Sequence, residues 1–183
     1  MTEQPDNVSI LLEQIGRAST PPVRDASYGI TLGSLIGLGL KNTEGSQTLV
    51  IGSPSFIKFA QAQGTCVVSA VPGMAPEQAS DARVSALVID VDGFHEGAWL
   101  GADDGTSKLL AEQVFETGRV LRAKGKNVYL IPSVRFPKGC FYARIQSTTT
   151  ADIMNIPEVD LEEHAPQTHL WNVMTDYIQK RNG

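Results

Sequence analysis

Residues 85–133, SALVIDVDGFHEGAWLGADDGTSKLLAEQVFETGRVLRAKGKNVYLIPS, decide the fold. They read as strand, acidic loop, long helix and strand. The first run, 86–91, is apolar and partly β-branched and carries Asp90 and Asp92 at its end, the pattern of a central parallel strand whose carboxyl end opens into a loop. Across 106–124, Leu110, Val114, Phe115, Gly118 and Leu121 fall on one helical stripe. Arg119, Arg122 and Lys124 suit the negative end of the helix dipole, and Gly125 suits its stop. The apolar run 127–132 closes a βαβ unit. Ligands of open α/β sheets gather at the carboxyl ends of the strands, so the same stretch predicts a location as well as a fold.

Working outward, the alternation of short apolar runs with helical patterns continues. Toward the N-terminus, strands are predicted near 28–33, 47–52 and 65–70. A short helix over 35–41 contains Gly37 and Gly39, each costing roughly 1 kcal/mol against Ala. A firmer helix over 54–63 starts with Pro54 and stops at Gly64, and a short one is expected over 76–82. Val8, Leu11, Leu12 and Ile15 make an amphipathic helix over 8–16, followed by a linker at 19–22. On the other side, the alternation in 141–145 predicts an edge strand, and the acidic 148–163 a surface crossing. Leu170, Trp171, Met174, Tyr177 and Ile178 form the stripe of a terminal helix. The expectation is one α/β domain, 1–183, with its core over 28–133 and a C-terminal strand and helix over 141–181. It would be Rossmann-like and three-layered, with a mainly parallel sheet of about five strands and helices on both faces.

Composition narrows the function classes. The 183 residues are 42% hydrophobic, enough for a sizeable core, and carry a formal charge of −5 without a block of Lys or Arg. Nucleic-acid and anionic-membrane surfaces need clustered cations, so a small molecule or a protein is the expected partner. No apolar run reaches the ~20 residues of a membrane span. Residues 1–7 are polar and acidic where a signal peptide is basic and then apolar, which points to the cytoplasm. Two cysteines, Cys66 and Cys140, make neither a disulfide framework nor a four-cysteine zinc site.

The candidate site residues cluster at the predicted strand ends. Gly33–Ser34 and Gly52–Ser53 are turns entering helices, able to cap them or to offer N–H groups and a hydroxyl to an anion. Neither has dinucleotide or P-loop spacing, so no cofactor is called for. Asp90, Asp92, His95, Glu96, Asp103 and Asp104 place five carboxylates and an imidazole within fifteen residues. Such a loop can hold a hard cation such as Mg²⁺, bind sugar hydroxyls or tune a carboxylate for proton transfer; equally, it can be solvated, with Asp104 and Thr106 capping the long helix. Trp99 is either a stacking surface or a plug at the sheet edge. The terminal helix either packs on its own domain or forms a homodimer interface.

Two family resemblances sharpen these alternatives. Leu87-Val-Ile-Asp90, then Gly97-Ala-Trp99-Leu-Gly101-Ala102, a helix ending Leu121-Arg-Ala-Lys-Gly125 and the strand Val128-Tyr-Leu-Ile-Pro132 are similar to the N-terminal Rossmann-like half of some bacterial glycosyltransferases. The resemblance implies a nucleotide- or sugar-related binding or interaction module that is not catalytic alone, with its ligand on Ser53, Asp90, Asp92, His95, Trp99 and Asp104. Val91-Asp92-Gly93, Asp103-Asp104-Gly105-Thr106, Glu116-Thr-Gly118 and Gly125-Lys126-Asn-Val128 resemble nucleoside 2-deoxyribosyltransferases. That resemblance implies a glutamate, Glu112 or Glu116, attacking the anomeric carbon while Asp92 or Asp104 assists the departing base. The family's glutamate falls about one turn after its Gly-Thr pair, a region occupied here by Lys108 and Leu109. A structural or oligomerising role through the Trp171 helix is the third reading.

Overall fold

A computed structural model of the chain describes residues 45–153 and 168–182, all within the compact unit Leu32–Gly183. Five parallel strands appear there: β1 (Gln47–Ile51), β2 (Val67–Ser69), β3 (Val84–Asp90), β4 (Asn127–Ile131) and β5 (Ala151–Asp152), in the order β2-β1-β3-β4-β5. The helices are α1 (Pro54–Ala62), α2 (Ala75–Ser80), α3 (Lys108–Ala123), α4 (Tyr142–Gln146) and α5 (His169–Asn182). Four of the predicted strands are present. The strand expected near 28–33 and the helices over 8–16 and 35–41 lie outside the described residues.

Alternation along the strands builds two apolar layers. Leu49 and Ile51 of β1, Leu87 and Ile89 of β3, and Val128 and Leu130 of β4 face Ala75 and Ala79 of α2, Val114 and Leu121 of α3, and Tyr142 and Ile145 of α4. Val50, Val88, Tyr129 and Ile131 face the other way, onto Phe56 and Ala60 of α1 and Trp171, Met174, Tyr177 and Ile178 of α5. Each fully buried Leu, Ile, Val or Phe contributes about 1.5–3 kcal/mol, so both layers of helices are held mainly by apolar burial. The result is the Rossmann-like α/β/α sandwich that the βαβ pattern predicts. Gly125, at φ +68°, ends α3 in the left-handed conformation.

The region after β4 departs from its predicted form. Residues 141–145 do not make an edge strand: 142–146 form one helical turn, with Tyr142 and Ile145 buried three residues apart. The cause is an anchor outside the segment. The Asp103 main-chain carbonyl accepts the Phe141 N–H at 2.9 Å and its carboxylate accepts the Gly139 N–H at 3.2 Å, which ties the chain to the acidic loop and away from β4. The place beside β4 goes to Ala151–Asp152, inside the stretch expected to be a plain crossing.

The apolar face of α5 is covered by its own sheet. Trp171 packs edge-on against Tyr129 with ring centroids 6.1 Å apart, and Tyr177 packs edge-on against Phe56 at 5.0 Å. The stripe that suggested an interface is thus buried within the domain, as the packing alternative required.

Candidate functional site

Strand order reverses between β1 and β3, the switch point at which ligands of doubly wound sheets bind. The turn Gly52–Ser53 leads from β1 into α1 on one face, while β3 runs into a 3₁₀ turn, Val91–Phe94, that heads for α3 on the other. The two turns pack backbone against backbone. A Cβ on Gly93 would stand 2.3 Å from the Gly52 carbonyl carbon and 2.7 Å from the Ser53 nitrogen, so only glycine fits there. This approach brings Ser53 against Asp90 and Asp92.

Asp90 is fully buried, and one of its oxygens, Oδ2, accepts from the Ser53 N–H at 3.1 Å and the Ser53 hydroxyl at 2.5 Å. The same hydroxyl oxygen caps α1 by accepting the Phe56 N–H at 3.2 Å. Asp92, 1% exposed, accepts from Arg135 at 2.9 Å and Arg181 at 3.3 Å. Arg181, in the last turn of α5 with its side chain 7% exposed, also donates to the Pro132 carbonyl at 2.8 Å and lies 3.8 Å from Asp90 Oδ1. Asp90 Oδ1, Asp92 Oδ1 and Arg181 Nε have no hydrogen-bond partner among the described residues.

These surroundings push the two carboxyls apart. Burial raises Asp90 above the ordinary carboxylate range; the Ser53 hydrogen bonds offset this only in part, and the neighbouring Asp92 adds to it. Burial acts upward on Asp92 too, but hydrogen bonds from Ser133 and Arg135 and the charge of Arg181 outweigh it, leaving Asp92 below its ordinary value. Asp90 therefore takes up a proton more readily than Asp92, the arrangement that lets two like groups take different roles.

Beside the pair lies a cavity of about 590 Å³, between α1, α5 and the segment after β4. That volume suits a small molecule, for which pockets of roughly 300–1,000 Å³ are usual. Four cations line it, Lys58, Arg135, Lys180 and Arg181, together with the Ser55 and Tyr177 hydroxyls and the Phe59 ring. Lys180 Nζ sits 5.5 Å from the centre of the Phe59 ring. A chain of hydroxyls connects this wall to the buried acid: Tyr177 to Ser55 at 3.3 Å, Ser55 to Ser53 at 2.9 Å, Ser53 to Asp90 at 2.5 Å.

Of the residues predicted from sequence, Ser53, Asp90 and Asp92 converge here. His95 stacks on Phe136, with ring centres 4.0 Å apart. Trp99 is the plug: it is buried, and its indole N–H donates to the Ala70 carbonyl at 3.2 Å. Asp104 serves its own turn, accepting from the Thr106 N–H at 2.8 Å and hydroxyl at 2.6 Å just before α3. Glu112 pairs with Arg144 and Glu116 with Arg119, each at 2.6 Å, on the partly exposed side of α3. Among the described residues, no three His, Cys, Asp or Glu side chains are grouped to hold a metal ion, since the acidic-loop carboxylates turn to separate partners.

Lys58, Tyr177, Lys180 and Arg181 were not legible as site residues. One signal was present. Arg181 continues the stripe of Met174, Tyr177 and Ile178 at helical spacing, and a cation on a core-facing stripe requires a buried partner. Comparison of the chain with protein-family models, curated proteins and solved structures finds no match.

Proposed function

We propose that this chain is a Rossmann-like binding module for a small anionic molecule, with phosphorylated nucleosides and sugars as the ligand class. The observation that carries the reading is the charge of the cavity. In a chain of net charge −5, four cations line one cavity at the switch point of the sheet, and two of them, Arg135 and Arg181, bind Asp92 beside it. Asp92 engages only part of Arg135 and Arg181, and Asp90 lies farther from Arg181, at 3.8 Å, so positive charge is left facing the cavity. Lys58 and Lys180 have no carboxylate partner among the described residues, and the Ser55 and Tyr177 hydroxyls are placed to donate. The Phe59 ring offers an apolar surface to the uncharged part of such a ligand.

This reading agrees with the resemblance to the N-terminal half of glycosyltransferases, whose ligands carry sugars or nucleotides. The deoxyribosyltransferase alternative requires Glu112 or Glu116 in the cavity, and both are engaged by arginines elsewhere. We therefore adopt binding rather than N-glycosidic bond cleavage.

The test is a thermal-shift titration with inorganic phosphate, a nucleoside monophosphate, a nucleotide sugar and an uncharged nucleoside. A ligand at 100 times its Kd adds about 2.7 kcal/mol of stability. The expected outcome is stabilisation by the anions and little by the nucleoside, lost when Lys58→Glu and Lys180→Glu are combined. Equal silence from every anion, or equal gain from the uncharged nucleoside, would overturn the reading.

A further inference from the structure

The hydroxyls between the cavity and Asp90 obey a directional constraint. Ser53, Ser55 and Tyr177 each own one hydroxyl proton, whereas a bound oxyanion only accepts. While Asp90 is ionised, Ser53 donates to its Oδ2 over 2.5 Å, and the Ser53 oxygen accepts from Phe56 N–H and from Ser55. An anion in the cavity meets Ser55 and Tyr177 on the wall and draws both of their protons toward itself. If Ser53 continued to donate to Asp90, lone pairs of Ser53 and Ser55 would then face each other across 2.9 Å. The contact is relieved when Ser53 turns its proton to Ser55. Asp90 Oδ2 then keeps a hydrogen bond to Ser53 Oγ only by carrying a proton of its own.

We propose that the cavity takes up its anion together with one proton, which settles on Asp90 as the Ser53–Ser55 hydroxyl chain reverses direction. This inference rests on the anion-binding reading and specifies what accompanies the anion. No bond between heavy atoms forms or breaks: one proton from solvent ends on Asp90 Oδ2, and each hydroxyl keeps one proton throughout. The charged and titratable groups around Asp90 favour this outcome. Asp92 approaches from the turn after β3, Arg181 and Tyr177 from α5, Arg135 reaches Asp92 from the segment after β4, and Lys58 and Lys180 stand at the cavity wall. Arg181 lies nearer Asp92, at 3.3 Å, than Asp90, at 3.8 Å, so Asp90 is the carboxyl with the weaker counter-charge. Burial already holds it above its ordinary value, which brings proton uptake closer to neutral pH.

The experiment is calorimetric titration of the full chain with sodium sulfate, in pairs of buffers of different ionisation enthalpy, across the mildly acidic to neutral range. The unaltered chain should take up as much as one proton per sulfate bound. Asp90→Asn should bind sulfate with no uptake. Ser55→Ala should bind sulfate more weakly, through the cations, and without the uptake, and Ser55→Thr should regain both affinity and uptake. Sulfate binding without uptake in the unaltered chain, or uptake that persists in Ser55→Ala, overturns the proposal. Absence of sulfate binding altogether overturns the anion-binding reading itself. Should Asp90→Asn fail to fold, the carboxyl ¹³C resonance of Asp90 in the unaltered chain decides: its titration midpoint must rise on adding sulfate, and an unmoved midpoint rejects the mechanism.

Discussion

Two acidic pairs lie between the end of β3 and the start of α3, Asp90 with Asp92 and Asp103 with Asp104, and the fold gives them opposite work. The first pair lies at the switch point, pressed against the β1 turn by Gly93 and reached by arginines from β4's following segment and from α5. The second lies farther along the loop. Asp103 is buried but clasps the chain at Gly139 and Phe141, and Asp104 is exposed and bonds Thr106 two residues on. Residue type does not separate the pairs. What separates them is which distant cations the topology delivers: two arginines converge on the first pair, and none is bonded to the second among the described residues.

The largest expected effect of breaking this contrast is at Asp92. Asp92→Ala leaves Arg181 buried with a weakened partner set, and removing one member of a buried ion pair costs about 3–5 kcal/mol, to be read from the urea midpoint at constant slope. Asp103→Ala should cost less, about 1–3 kcal/mol, because the one group left without a partner, the Gly139 N–H, is neutral; anion binding measured by thermal shift should stay intact. If Asp103→Ala abolished that binding, the division of labour between the pairs would fail.

Asp90 and Asp92 should also respond oppositely to pH. The folded-state carboxyl of Asp90 is raised, chiefly by burial, so its contribution is fully present below the unfolded value of about 3.9 and is lost as pH rises through the folded value. Asp90→Asn should therefore match the unaltered chain in acid and become the more stable of the two toward neutral pH. Asp92 is lowered: its contribution is present above about 3.9 and is lost as pH falls through its folded value. Urea unfolding across the acidic range checks both, and a pH-independent difference for Asp90→Asn would reject the assignment. The smallest effect is expected at Asp104, where Asp104→Ala should loosen one exposed turn, with a marginal change in urea midpoint and none in anion affinity.

The sandwich was readable because each element is coded locally. The apolar runs at 86–91 and 127–132, the stripe of Leu110, Val114 and Leu121 and the stop at Gly125 each act within a few residues, and together they permit few packings. The error at 141–145 has the complementary cause, since Asp103 holds that segment from outside its own window. The site was half legible. Asp90, Asp92 and Ser53 stand at strand ends, where position follows from the βαβ pattern.

By itself, then, the sequence determined the layers, the helix stops and the edge of the sheet at which chemistry belongs, because hydrophobic period and turn chemistry are short-range. Only the tertiary structure decided which carboxyl holds its proton more tightly, and that Lys58, Lys180 and Arg181 would line a cavity beside them. Charges act through space rather than along the chain: Arg181 reaches Asp92 across 89 positions, and no local pattern encodes that pairing.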